Sequence, residues 1–94
     1  MAEDDSLSPP RIVCAAIRRA GEVIIGARHY DGWMIGAIEA RGEWGLWRAA
    51  EQGFVDQHGR FYTREEAWQI ADANGQIIRD RDWAAGVLHS EHLY

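Results

Sequence analysis

The chain has 94 residues and a single cysteine, Cys14, so it makes one small domain with no intrachain disulfide. A domain of this size buries only about 60–65% of its unfolded surface, and its core is thin. A formal net charge of −5 argues against an open nucleic-acid-binding surface, and no apolar run approaches the roughly 20 residues of a membrane span.

Residues 1–10 are acidic, close on Pro9-Pro10 and read as a disordered tail. They lack the basic start and apolar stretch of a signal peptide, which sets the expectation of a cytosolic chain with Cys14 reduced. Residues 11–94 then form the domain. Residues 11–17 are apolar on both alternating faces and predict a well-buried strand, with Cys14 as a small core residue. A turn over 18–21 and a second strand over 22–27 complete a β-hairpin closed around Gly21.

Asp31 is a suitable N-cap for a helix over 32–40. Trp33, Met34, Ala37 and Ile38 then fall at spacings of three and four as its apolar side, and Gly42 ends it. Residues 43–52, with Trp44 and Trp47, form a loop or a short helix. A second, shorter hairpin spans 53–62 around Asp56-Gln57-His58-Gly59. Thr63-Arg64-Glu65-Glu66 matches a capping box, in which the Thr63 hydroxyl and the Glu66 carboxylate each serve the other's backbone amide. The helix it opens carries Ala67, Trp68, Ile70 and Ala71 inward and stops at Asn74-Gly75. Residues 76–87 are charged and irregular. The last seven residues end in Leu93-Tyr94, which suits a tail docked on the body or on a neighbour. The fold class is therefore α+β: a small single domain with an N-terminal hairpin, a short second hairpin and at least two helices.

The chemistry-bearing residues exclude several enzymes. His29, His58, His89 and His92 contain no HExxH arrangement, and Ser and Cys lack nucleophile-elbow surroundings. His89 and His92, three apart around Glu91, lack a fourth metal partner and read as part of a solvated tail. Glu22-Val23-Ile24-Ile25-Gly26 with Arg64-Glu65-Glu66 faintly suggests a Nudix pyrophosphohydrolase. Trp68 and Gln69 occupy the positions where that fold needs its second Glu pair, so its magnesium site cannot be built. No catalytic residue, metal or cofactor is expected.

Anion binding is better represented. All ten basic residues are Arg and none is Lys. Fourteen Ala and ten Gly against one Asn give that bias a bland source in GC-rich codons. The chemistry differs all the same, because the guanidinium fork grips phosphate bidentately and stacks on rings. Arg60 and Arg64 flank a helix start, where they and the free amides of the first turn can converge on one anion. Arg28-His29-Tyr30-Asp31 with Trp33 packs a cation, a ring donor, aromatic planes and a carboxylate into a strand-to-helix loop. Against these readings stand plainer ones: a surface ion pair for Arg64, a helix cap for Asp31 and a core position for Trp33.

The order of these motifs carries a resemblance. Arg28-His29-Tyr30-Asp31 is followed by Glu51-Gln52-Gly53-Phe54-Val55-Asp56, Gly59-Arg60-Phe61, Arg64-Glu65-Glu66-Ala67, Ile70-Ala71 and Gly75-Gln76-Ile77. Ser90-Glu91-His92-Leu93-Tyr94 closes the run. It resembles the small phage anti-defence proteins that sequester bacterial immune nucleotide signals, most nearly the first-described Thoeris anti-defence family. That family binds a cyclic ADP-ribose isomer, and the anti-CBASS sponges are similar in role towards cyclic di- and trinucleotides. The resemblance implies a non-enzymatic protein of the infected bacterial cytoplasm that holds its messenger intact in pockets between the subunits of a homo-oligomer, a dimer or a hexamer. It implies phosphate contacts from Arg60 and Arg64, a pocket lined or braced by Arg28, His29 and Asp31, a stacking surface at Trp33 and an interface at Tyr94. It implies no nucleic-acid or membrane partner. The alternative, from the net charge alone, is an acidic protein-binding inhibitor or DNA mimic that blocks a host factor.

Overall fold

The computed structural model describes residues 8–42 and 44–93. Most of the expected disordered tail, and Tyr94 with its expected interface role, lie outside the described residues. Ser8, Pro9 and Pro10 are held to the body: their carbonyls meet the His58 ring, the Gln57 amide and the Asn74 amide at 3.3, 2.8 and 2.9 Å.

The fold is α+β, as expected. Strands β1 (Ile12–Arg19), β2 (Glu22–Gly26), β3 (Glu51–Asp56) and β4 (Phe61–Thr63) form one sheet in the order β2-β1-β3-β4, every neighbouring pair antiparallel. The β1–β2 turn is confined to Ala20 and Gly21, both at positive φ (51° and 82°), because such a two-residue turn matches the right-handed twist of its strands. Helix α1 (Gly32–Arg41) and the short α2 (Trp44–Arg48) connect β2 to β3. Helix α3 (Arg64–Ala73) follows β4 directly, and α4 (Ser90–Leu93) ends the chain.

Side-chain alternation divides the sheet into two unlike faces. Ala15, Ile17, Ile24 and Phe54 point to one face, where they form a single core with Met34 and Ile38 of α1, Trp47 of α2, Ala67, Trp68 and Ala71 of α3, and Leu88. Burying a side chain such as Phe54 or Ile17 contributes about 1.5–3 kcal/mol each. The capping box at Thr63 and Glu66 forms as expected and fixes the start of α3.

The opposite face carries no helix among the described residues. Phe61 lies across it over Gly53, where a Cβ would collide with the Phe61 ring and the Tyr62 carbonyl. The Arg18 guanidinium lies 4.2 Å above that ring. Val13 and Ile25 stay about half exposed there. Cys14 is half-buried at the same face rather than in the core, because residues 11–17 have only one covered side. Trp33 also departs from expectation. Helix α1 buries only the narrow Met34–Ile38 stripe, and Trp33 is left 80% exposed.

The C-terminal segment corrects the reading of a solvated tail. Leu88 and His92 are fully buried. His92 packs edge-on to Trp68 and beside Trp83 and His89, with ring centroids 5.0, 5.5 and 5.8 Å away. Its Nε2 donates to the Trp83 carbonyl at 2.7 Å, and its Nδ1 accepts from the His89 amide at 3.0 Å. The two histidines thus tie the tail to the body.

Candidate functional site

Three segments meet at one polar cavity of about 200 Å³, lined by Arg28, His29, Arg64, His89, Ser90 and Glu91. Arg28 and His29 come from the loop between β2 and α1. Arg64 is the first residue of α3. His89, Ser90 and Glu91 belong to the docked C-terminal segment.

Asp31 stands outside the lining and braces the loop that forms the first wall. One carboxylate oxygen accepts from the amides of Ala27 and Arg28 at 2.7 and 3.1 Å, and the other accepts from Met34 at 2.9 Å as the cap of α1. Burial pushes this carboxyl upward, but the backbone donors together outweigh it and hold it below the usual carboxylate range. Gly26 permits the loop to fold back, because a Cβ there would overlap the Asp31 carboxylate. Asp31 therefore braces the loop that carries Arg28 and His29.

Arg64 crosses the floor of the cavity. Its Nη1 donates to the Leu88 carbonyl at 2.7 Å, and its Nη2 donates to Gln52 Oε1 at 2.5 Å and faces His29 Nδ1 at 3.4 Å. Burial lowers its pKa, but a guanidinium stays charged in proteins. Among the described residues Arg64 forms none of the ion pairs within 4 Å, so the plainer reading of a surface pair with Glu65 is not met there.

His29 approaches the Gly53 carbonyl through Nε2 at 2.7 Å. A carbonyl only accepts, so the proton sits on Nε2 and Nδ1 is left to accept from Arg64. Burial first, and the adjacent Arg64 charge second, push the His29 pKa down to about 4. His89 follows the same logic: Nδ1 donates to the Val87 carbonyl at 3.0 Å, and burial is the main cause of its lowered pKa. Both imidazoles are neutral at pH 7.

Ser90 is 4% exposed, and its hydroxyl has no hydrogen-bond partner among the described residues. An unpaired buried hydroxyl costs about 1–3 kcal/mol unless something meets it. At the mouth, Glu91 Oε2 stands 3.7 Å from Arg28 Nη1.

Two of the expected ligand residues lie elsewhere. Arg60 is exposed on the β3–β4 turn, where its amide and that of His58 bond the buried Asp56 carboxylate at 3.0 and 2.8 Å. It is not among the residues lining the cavity, so it does not converge with Arg64 there. Trp33 borders a different, apolar groove of about 430 Å³ with Val13, Cys14, Ile25, Gly26 and Ala27. Conversely, Gln52, His89, Ser90 and Glu91 were not expected at the site. The apolar close of the chain signalled that the tail docks, but not where. No group of three or more His, Cys, Asp or Glu side chains suited to a metal ion occurs among the described residues.

Two guanidinium groups around a small cavity can hold an oxyanion, while the Glu91 carboxylate and the unprotonated His89 Nε2 can accept from a neighbouring hydroxyl. A family model described as phage T4 y16D protein matches residues 11–94. No curated protein and no solved structure matches the chain.

Proposed function

Starting from the chain's membership of the phage T4 y16D protein family, we propose that it captures a cyclic nucleotide immune signal of the infected bacterium and holds it without degrading it. The observation that carries this reading is the cavity that Arg28, Arg64 and Ser90 line together, the buried Ser90 hydroxyl having no hydrogen-bond partner among the described residues. Its fit is to a phosphate. Both histidines are neutral and tied to carbonyls, so the charge for the ligand comes from the two guanidinium groups. The resemblance to Thoeris anti-defence proteins supplies the messenger class: a cyclic ADP-ribose isomer, with cyclic di- and trinucleotides beside it.

The size of the cavity bears on assembly. About 200 Å³ is below the roughly 300–1,000 Å³ of sites that enclose a whole small molecule. It suits a phosphate and the adjoining edge of a sugar. The bases extend beyond it, and a neighbouring subunit of a homo-oligomer is the natural cover. The open sheet face with Val13, Ile25 and the exposed Trp33 is the apolar surface available for that contact.

The test is retention and return. The protein is incubated with cyclic ADP-ribose isomers and cyclic dinucleotides, freed of unbound ligand, and heat-denatured. Intact ligand in the supernatant is the expected result. A converted product would make it an enzyme. No bound nucleotide at all would favour the other reading that the net charge of −5 supports, an acidic inhibitor of a host protein.

A further inference from the structure

We propose that the cavity filters anions by charge, admitting the singly charged phosphate of a phosphodiester over the doubly charged phosphate of a monoester, with Glu91 setting the filter. This rests on the phosphate-binding reading above and adds to it a selectivity and the residue responsible.

The formal charges are those of the described residues that line the cavity. Arg28 and Arg64 are positive, His29 and His89 are neutral, and Glu91 is negative. The Glu91 carboxylate is felt at both cations: it stands 3.7 Å from Arg28, and its field acts on Arg64 together with that of Glu65 on α3. The formal balance of the lining is therefore a single positive charge. A monoanion neutralises it. A dianion overshoots it and places its second charge against the Glu91 carboxylate at the mouth.

The hydrogen-bonding capacity agrees with the charges. Three of the Arg64 hydrogens are engaged by Leu88, Gln52 and His29, which leaves its Nε–H and one Nη1 hydrogen without a partner among the described residues. The Arg28 guanidinium stands in the same lining with donors of its own. Facing them are two acceptors, Glu91 and the His89 Nε2, the latter bare because Nδ1 carries the proton to Val87. Two acceptors in the lining suit a phosphodiester next to a sugar hydroxyl that donates to the carboxylate. A terminal phosphate, whose three free oxygens share two charges, offers no hydrogen to those acceptors and sets its second charge against Glu91.

The experiment is calorimetric titration of the full chain at pH 7.5 with two matched pairs. One is 3′,5′-cyclic AMP against 5′-AMP. The other is cyclic di-AMP against its linear form carrying a 5′-phosphate. The same titrations are repeated with Glu91→Gln, an exposed position where the amide keeps the shape. The expected result is tighter binding of the cyclic member by at least about tenfold, and a ratio that narrows by about tenfold in Glu91→Gln through stronger binding of the monoester. Equal binding of both members, or a ratio unchanged in Glu91→Gln, overturns the filter and leaves the phosphate-binding reading standing. Failure of all four probes to bind overturns both.

Discussion

Arg64 and Leu88 are joined twice. The Arg64 guanidinium donates to the Leu88 carbonyl at 2.7 Å, and the Leu88 amide donates back to the Arg64 carbonyl at 3.0 Å. This reciprocal pair fastens the C-terminal segment to the first turn of α3. It brings His89, Ser90 and Glu91 to a cavity whose other walls lie 24 or more residues away along the chain. The site thus depends on the docked tail as much as on any cation.

Leu88→Ala tests that dependence. Leu88 is fully buried in the core, so truncation is expected to cost about 2–5 kcal/mol in urea unfolding. Exchange of the amides of residues 88–93 should rise more than that of α1. A loss under about 1 kcal/mol would mean that the tail is only loosely docked.

Asp31→Ala tests the brace of the opposite wall. It removes a helix cap and the acceptor for two loop amides, for an expected loss of about 2 kcal/mol. Chemical shifts of Arg28 and His29 should move with it. Unchanged stability would mean that water replaces the carboxylate at no cost.

Stability should fall on mild acidification, and the sign follows from His29. Its pKa is about 4 in the folded chain and 6.5 when unfolded, so between these values the unfolded state binds the extra proton. The contribution is complete above pH 6.5 and is lost as pH falls towards 4, amounting to about 2–3 kcal/mol. His89, also lowered, adds in the same direction. Asp31 and Asp56, both held below 3.8, lose their contributions only further down. Urea midpoints measured from pH 7.5 to 4 should decline, and His29→Gln should flatten the curve. A flat parent curve would contradict the neutral, carbonyl-bound His29.

Assembly is read by light scattering. A mass above the 10.7 kDa chain is expected, with Trp33→Ala shifting it towards the monomer. A parent that is monomeric at 10.7 kDa and binds its ligand fully would contradict a pocket shared between subunits.

What was legible in the sequence was local. Asp31, Gly42 and the Thr63–Glu66 capping box announce helix ends through atoms a few residues apart, and the hairpin turns do the same. The burial of Trp33 was misread because α1 packs one narrow stripe, and spacing alone does not say how wide the covered side is. The membership of His89, Ser90 and Glu91 in the cavity was illegible for a different reason. It is set by Leu88 filling the core and by His92 packing on Trp68 and Trp83, contacts that no short window contains. Likewise Arg60 and Arg64 are four apart in sequence, yet the Asp56 carboxylate holds the Arg60 amide in its own turn.

Titration of the parent, Arg64→Ala and Arg60→Ala with a cyclic ADP-ribose isomer and a cyclic dinucleotide tests the phosphate cavity most directly. Loss of a hydrogen bond to a charged group costs about 1.5–3 kcal/mol, so Arg64→Ala should bind roughly tenfold to more than a hundredfold more weakly. Arg60→Ala, away from the cavity, should change affinity by less than about 0.5 kcal/mol. An Arg64→Ala protein that stays folded and binds either nucleotide as tightly as the parent would contradict the assignment.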